Sequence, residues 1–339
     1  MDSLSTLVIK DIFKYIIDRK MDVLYLGLTS KRFFTLMCQI TPNLIVNGSI
    51  LSNYNNNNNI DTLTPGSLPS SLTSLSFSHS FDQSISVGGL PNTLTYLHLG
   101  ASFNQRINNN ILPSSIATLH FGSKFDQIIM PGDLPSSLQT LTLSQLSNPP
   151  ITPGILPPTL TSLCFGYYFN QPLEVGLLQD SLTSLELGHS FNHPILPGAL
   201  PASLNVLTWE KYSQFKQPLA PGSLPDSLTR IVFGDFYDIR IPVGTFPSSG
   251  SLTSVTFGSY FNRDLDQPGQ LQDSIRTLNL GQLVIYRPQS IKFPPELTSL
   301  SMPWNCNTNI IEFNKDHSPL PPSLRSLAIY YPATIRNLK

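Results

Sequence analysis

LPPTLTSLCFGYYFNQPL, residues 156–173, carries two patterns in one short stretch. In its first half Leu163 and Phe165 alternate with Ser162 and Cys164, the period-2 signature of a strand with one buried face. Its second half holds the pentad Phe169-Asn170-Gln171-Pro172-Leu173, an aromatic, an amide pair and a proline such as a ligand pocket could use. Whether the pentad is a site or a structural element depends on whether it recurs.

It does recur. The Leu-Pro pair that opens the stretch stands at Leu68, Leu90, Leu112, Leu134, Leu156 and Leu200, with Leu178 before Gln179 in the same series, each step 22 residues. The series runs on through Leu224, Phe246, Leu271, Phe293 and Leu320 with steps of 24, 22, 25, 22 and 27, giving twelve anchors over about residues 60–339. Four residues after the early anchors comes a segment of the form L-x-x-L-x-F/L-G, as in LTSLSFS, LTYLHLG and LTSLELG, ended by Gly or Ser. Further along, Pro-Gly (65–66, 131–132, 153–154, 197–198, 221–222) or Val-Gly (87–88, 175–176, 243–244) predicts a type II turn with glycine supplying the positive φ.

Aligned on this period, the Phe169 position is filled by Phe81, Phe103, Phe125, Ser147, Phe191, Phe215, Tyr237 and Phe261, aromatic in all but one. The Leu173 position is Ile or Leu throughout, from Ile85 to Leu265. Such regularity predicts repeated burial, so the pentad is a structural rung. The Asn170 position holds Asn or Asp (Asp82, Asn104, Asp126, Asn148, Asn192, Asp238, Asn262), with Lys216 the exception. Their shared side-chain oxygen predicts an acceptor for backbone N–H groups at the bend, as in an Asx-turn. A 22-residue unit has too little surface to bury its own apolar side, so the units must stack into a solenoid with one continuous core. The unit length and the prolines leave no room for an α-helix on the outer face, where extended or 3₁₀ structure is expected.

Composition narrows the partners. Of 339 residues 40% are hydrophobic and only 12% charged, with 30 prolines, 20 glycines and a net charge of −1. That balance lacks the clustered Lys/Arg needed to wrap nucleic acid or an anionic membrane. Cys38, Cys164 and Cys306 are far apart, an odd number without CxxC spacing, and read as reduced thiols of a cytoplasmic or nuclear protein. Lys10, Asp11, Lys14 and Asp18 interrupt the apolar N-terminus, and no apolar run approaches the roughly 18 residues of a membrane span. The expectation is a soluble monomer.

The first 45 residues differ. Leu4, Leu7, Val8, Ile12, Tyr15 and Ile16 recur at helical steps, Asp22 is placed to cap a second helix, and Thr29-Ser30 to start a third. Residues 1–45 are therefore read as a helical module, 46–59 with its Asn run as a linker or loop, and 60–339 as the solenoid of about twelve coils.

The units resemble the FNIP repeats, relatives of leucine-rich repeats, through LPSSLTSLSF (68–77), LPPTLTSLCFGYYFNQPL (156–173) and LTSLELGHSFNHPILPGALP (182–201). From Leu271 onward the LxxLxL half persists, as in Leu324, Leu327 and Ile329, while the FNxP half is lost. The implied fold class is a leucine-rich-repeat-like solenoid, mostly β and extended coils, with a small N-terminal α-helical module. LSTLVIKDIFKYIIDRKMDVLYLGLTSKRFFTL (4–36) resembles an F-box, with Leu4-Ser5 where that motif usually opens on Leu-Pro. This implies docking to the adaptor of a cullin-type ubiquitin ligase through apolar residues such as Ile12, Ile16, Leu24, Leu26 and Phe33. The competing reading is that the helices only cap the open end of the solenoid.

No G-x-S-x-G, Walker or G-x-G-x-x-G pattern is present, so no catalytic residue, metal or cofactor is expected. His98 and His120 occupy one column in adjacent units, and a solvated pair is the plainer reading than a metal site, which needs further ligands. The alternation turns Tyr96, His98, His120, Glu186 and Arg230 outward. A column just past the strand contains Lys124, Tyr168, Tyr212, Phe236 and Tyr260. Exposed aromatics among small polar groups predict a protein-binding surface, and the expected function is a non-enzymatic scaffold presenting a protein target. The buried rungs are expected to be Phe81, Phe103, Phe125, Phe169, Phe191, Phe215 and Phe261 with Asn104, Asn170, Asn192 and Asn262 beside them.

Overall fold

A computed structural model of the chain describes residues 43–46, 62–68, 70–281, 291–303 and 320–330. Contacts divide the chain into two units, Met1–Pro149 and Pro150–Lys339. In the first, β1 (Asn43–Val46), β3 (Ser74–Phe77), β5 (Tyr96–His98), β6 (Thr118–His120) and β7 (Thr140–Thr142) form a parallel stack, each pairing with the next. A two-stranded parallel ladder joins β2 (Thr62–Leu63) to β4 (Ser84–Ile85) on the second leg of the coil. In the second unit the stack continues in kind: β8 (Ser162–Cys164), β9 (Ser184–Leu187), β10 (Val206–Trp209), β11 (Arg230–Val232), β12 (Ser254–Thr256), β13 (Thr277–Asn279), β14 (Ser299–Pro303) and β15 (Ser326–Tyr330), in chain order.

Each strand aligns with its neighbour at the same repeat position, as in Tyr96↔Thr118 and His98↔His120. The central leucine of each ladder points inward: Leu75, Leu97, Leu119, Leu163, Leu185 and Leu207 are buried, while their flanking residues are half-buried or exposed. The alternation in the sequence is therefore the alternation of the sheet faces. Each unit is a parallel, leucine-rich-repeat-like β-solenoid, with about ten regular turns between the two.

Among the described residues there is no helix, and the chain returns through β-turns. In the coil anchored at Leu90, Leu94 N–H donates to Pro91 O at 3.1 Å, Phe103 N–H to Gly100 O at 2.9 Å, and Ile111 N–H to Asn108 O at 3.2 Å. The extended return is as expected; its 3₁₀ alternative is replaced by these tight turns. The Pro-Gly and Val-Gly turns have the predicted left-handed residue, with φ of 80° at Gly66 and 83° at Gly176. Asn110, with φ 70°, fills that place in its coil, a substitution that the Pro-Gly pattern does not reveal. Where glycine ends the strand segment it is needed for closeness instead: a Cβ on Gly188 would collide with the Gly166 carbonyl oxygen, and one on Gly122 with that of Gly100.

The helical module lies outside the described residues except at Asn43-Leu44-Ile45. These three belong to β1, which crosses the boundary set at residue 45. Since Asn43 pairs with Ser74, the Asn run at 53–59 falls in the chain joining two neighbouring strands. No helix among the described residues is long and apolar enough to cross a membrane.

Candidate protein-interaction surface

The opening pentad turns Phe169 and Leu173 inward and leaves Asn170 and Pro172 exposed. Phe169 is 2% exposed, stacks on Phe165 of its own coil at 3.9 Å between centroids, and meets Phe191 of the next coil at 6.4 Å. The stack continues from Phe191 through Phe215 and Tyr237 to Phe261. In the first unit Phe81, Phe103 and Phe125 stack likewise. Ser147, the one non-aromatic rung, is buried and donates its hydroxyl to Phe125 O at 2.7 Å, so a hydrogen bond stands where a ring contact would be.

The Asn/Asp column has the predicted acceptor role with a different partner. Asn170 Oδ1 accepts from Asn192 N–H at 3.0 Å, Asn104 Oδ1 from Asp126 N–H at 2.9 Å, and Asp82 and Asp238 do the same for Asn104 and Asn262. Each oxygen thus ties its coil to the next rather than closing a turn within its own bend. Asn192 Oδ1 receives Lys216 N–H at 2.9 Å, so the lysine in this column is bonded through its backbone.

Ser and Thr, which look like filler in the sequence, form a second inter-coil ladder. Ser115, Ser137, Ser181, Ser203 and Ser274 each donate Oγ–H to the carbonyl of the equivalent Leu or Ile one coil back, at 2.6–2.8 Å. The signal was the recurring Ser or Thr just before the apolar residue that opens the strand segment.

With the interior filled, the outward columns are what the strand face presents to solvent. In the first unit Tyr96, His98 and His120 come together: His98 and His120 ring centroids are 6.1 Å apart, Tyr96 and His120 5.4 Å, and His120 Nδ1 lies 2.8 Å from Thr142 Oγ1. Burial lowers the pKa of both imidazoles, and the neighbouring His98 lowers that of His120 further. Lys124 is exposed past its strand.

In the second unit Tyr168 is 49%, Tyr212 51% and Tyr260 49% exposed. Tyr168 meets Tyr167 edge-on at 5.0 Å, and Tyr167 stacks flat on His189 at 4.1 Å. Lys211 Nζ sits 5.2 Å from the Tyr212 ring, and half-buried Phe236 stacks on Tyr260 at 5.1 Å. Glu186 and Arg230 are exposed on the strand face. Beside Glu186 the Cys164 thiol is pushed up to about 12, first by burial and then by that carboxylate. The Tyr167–His189 stack and the His189 Nδ1–Glu210 contact at 3.4 Å adjoin the ring column and were not anticipated. Ile12, Ile16, Leu24, Leu26 and Phe33 lie outside the described residues. Among the described residues no group of three or more His, Cys, Asp or Glu is placed to hold a metal ion.

One parallel strand per coil, leucines inward and turns on the return, is the build of a leucine-rich-repeat-like solenoid. The FNIP Repeat family matches residues 58–102, 103–146, 125–168, 148–188, 169–209 and 215–250, more than half of the chain, and the chain belongs to that family. Among solved structures it is similar to CroV588, described as a novel circular LRR protein, with 34% identity and a TM-score of 0.72. That match covers 85% of this chain and 43% of the other, so this chain spans less than half the length of that protein. TLR13 in its complex with ssRNA13 shares 15% identity over 86% of this chain and 46% of its own, with a TM-score of 0.50. An internalin, InlF of Listeria monocytogenes, shares 13% over 87% and 84% with a TM-score of 0.52; these two share the fold. No curated protein matches the chain.

Proposed function

We propose that the protein is a non-enzymatic scaffold that holds a protein partner on its outward strand face and on the ring column beside it. The observation that supports this most directly is the half-exposure of Tyr168, Tyr212 and Tyr260, beside a ring ladder from Phe169 to Phe261 that is buried. Tyrosines of this kind provide large rigid contact area with a polar tip and are enriched in interface hot spots. A near-neutral net charge of −1 favours a protein over a polyanion as that partner. The test is crosslinking and affinity purification of the full chain beside a Tyr168→Ser/Tyr260→Ser variant. A partner kept by the wild type and lost by the variant, with thermal unfolding unchanged, supports the reading; a partner kept equally by both removes these rings from it.

The finer proposal is that residues 4–36 dock the adaptor of a cullin-type ubiquitin ligase, making the solenoid a substrate receptor of the cytoplasm or nucleus. What supports it is the pattern Asp22-Val23-Leu24-Tyr25-Leu26 with Leu28-Thr29-Ser30-Lys31-Arg32-Phe33. Mixing the purified adaptor with the full chain and with an Ile12→Asp/Leu26→Asp variant decides it. If the adaptor ignores the wild type, and removing residues 1–42, which leaves β1 whole, renders the solenoid insoluble, the segment is a cap.

A further inference from the structure

We propose that the return turns of the second unit form a docking surface for a second copy of this chain. This goes beyond the scaffold reading and departs from the monomer expected of the composition. Four successive turns, 174–177, 196–199, 220–223 and 242–245, are each closed by a bond from the fourth N–H to the first carbonyl, at 3.1, 3.0, 3.1 and 3.2 Å. Their second positions, Val175, Pro197, Pro221 and Val243, are exposed, and so are Leu196, Ala220 and Pro242 at the first. Two residues before each first position, Pro172, Pro194 and Pro218 extend the surface toward the pentads. Successive turns lie against one another, since a Cβ on Gly198 would stand 3.9 Å from Val175 and one on Gly244 3.9 Å from Pro221. The result is an apolar patch four coils long, about 15 Å from first turn to last.

Turn geometry does not demand these side chains. The same turn opens on Thr64, Ser86 or Asn108 in the first unit and accepts Asn109 at its second position. Val175 at 67%, Leu196 at 58% and Val243 at 52% exposure are therefore apolar for another reason. Exposed to that degree, the patch offers on the order of 700 Å² per copy, above the largest patch usual on a monomer and close to the ~800 Å² a side of a standard interface. The charges fit a second copy of the same patch. Glu174 opens the first turn and Arg240 precedes the last; both are exposed, and neither forms an ion pair among the described residues. A two-fold axis between the second and third turns sets the first turn against the last turn of the other copy. Glu174 then comes within reach of the partner subunit's Arg240 at both ends of the interface. The rim obeys the same symmetry: Lys216 falls opposite the partner subunit's Asn192 and Asp226 opposite the partner subunit's Ala202, so like charges do not meet.

The test is sedimentation equilibrium of the full-length protein from about 1 to about 100 μM, with the mass of two chains expected by the upper end. Leu196→Asp/Val243→Asp changes two exposed side chains, so thermal unfolding should stay as in the wild type while association weakens about 100-fold or more. Glu174→Arg and Arg240→Glu should each weaken it about tenfold. An equimolar mixture of those two variants should associate as the wild type does, because the mixed pair restores both opposite-charge contacts. A single chain at about 100 μM, a dimer whose affinity survives Leu196→Asp/Val243→Asp, or a mixture no tighter than its components overturns the assignment. A chain that stays single but sediments with phosphatidylcholine vesicles, and fails to in Leu196→Asp/Val243→Asp, gives the patch to a lipid surface and overturns the second copy as its occupant. None of these substitutions alters Tyr168 or Tyr260, so a failure here is distinguishable from a failure of the protein-partner reading.

Discussion

Leu187-Gly188-His189-Ser190-Phe191 and Trp209-Glu210-Lys211-Tyr212-Ser213-Gln214-Phe215 do the same work with different lengths. Both begin on a strand in register, Leu187 against Trp209, and both deliver a buried ring to the same stack, Phe191 against Phe215 at 5.9 Å. The two additional residues leave the strand register and the ring stack in place; Lys211 and Tyr212 are exposed, while Ser213 is buried and its Oγ accepts from Phe215 N–H at 3.3 Å. Lengthening an exposed loop by two residues adds little closure entropy, whereas slipping a strand by one residue would turn its leucine out. Interior columns are therefore fixed by contact with the coil before and the coil after, and outward positions are free to vary.

Phe191→Ala should be the most damaging way to break this contrast. It empties a fully buried position touched by Phe169 and Phe215, and a loss of about 3–5 kcal/mol in urea unfolding is expected. Tyr212→Ala, a ring of similar size on the outside, should stay within about 0.5 kcal/mol of wild type. Equal losses from both would erase the distinction. Next in size is Gly188→Ala, since its new Cβ meets the Gly166 carbonyl and the coils must part; about 1–3 kcal/mol is expected. Ser203→Ala removes the 2.7 Å bond to Leu182 O and should lower stability by about 1 kcal/mol, whereas Asn192→Asp keeps the oxygen that holds Lys216 N–H and should change little. A neutral Ser203→Ala would return the hydroxyl ladder to the status of filler.

The sequence displayed the columns and concealed the direction of their bonds. The 22-residue period, the inward leucines, the aromatic rungs and the positive-φ glycines were all legible, because each is a local requirement that every unit must repeat. That Asn170 and Ser203 reach into neighbouring coils was not, since a position that recurs with the period has backbone partners both within its own coil and one coil away, and the pattern is the same for either. Gly188 was read as a strand end for the same reason: its neighbour's carbonyl is a lateral contact, invisible along the chain. At the candidate surface, outward orientation followed from alternation, while the pairing of Phe236 with Tyr260 and of Tyr167 with His189 depends on ring geometry. The two extra residues between Trp209 and Phe215 were signalled only by the step of 24 from Leu200 to Leu224.

The weakest expected effect tests the outward face of the first unit. His98 and His120 sit side by side with Tyr96, Thr118 and Thr142 as neighbours in the aligned strands and no carboxylate among them. Burial holds both imidazoles below the ordinary value of 6.5, His120 further so through His98. In the unfolded chain both regain that ordinary value, so between the folded and unfolded pKa the unfolded state binds more protons. The neutral pair contributes its full stability above that value and loses it as pH falls through it. Urea midpoints should therefore decline from about pH 7.5 to about pH 5 more steeply in the wild type than in His98→Asn/His120→Asn, because the pair titrates with a pKa near 6.5 only once unfolded. The effect is small because both rings are half in water, where solvent shares the charge. Parallel profiles for the two proteins would show that the pair is solvated enough to titrate as free histidine, and that even the half-buried outward positions are decoupled from the stability of the stack beneath them.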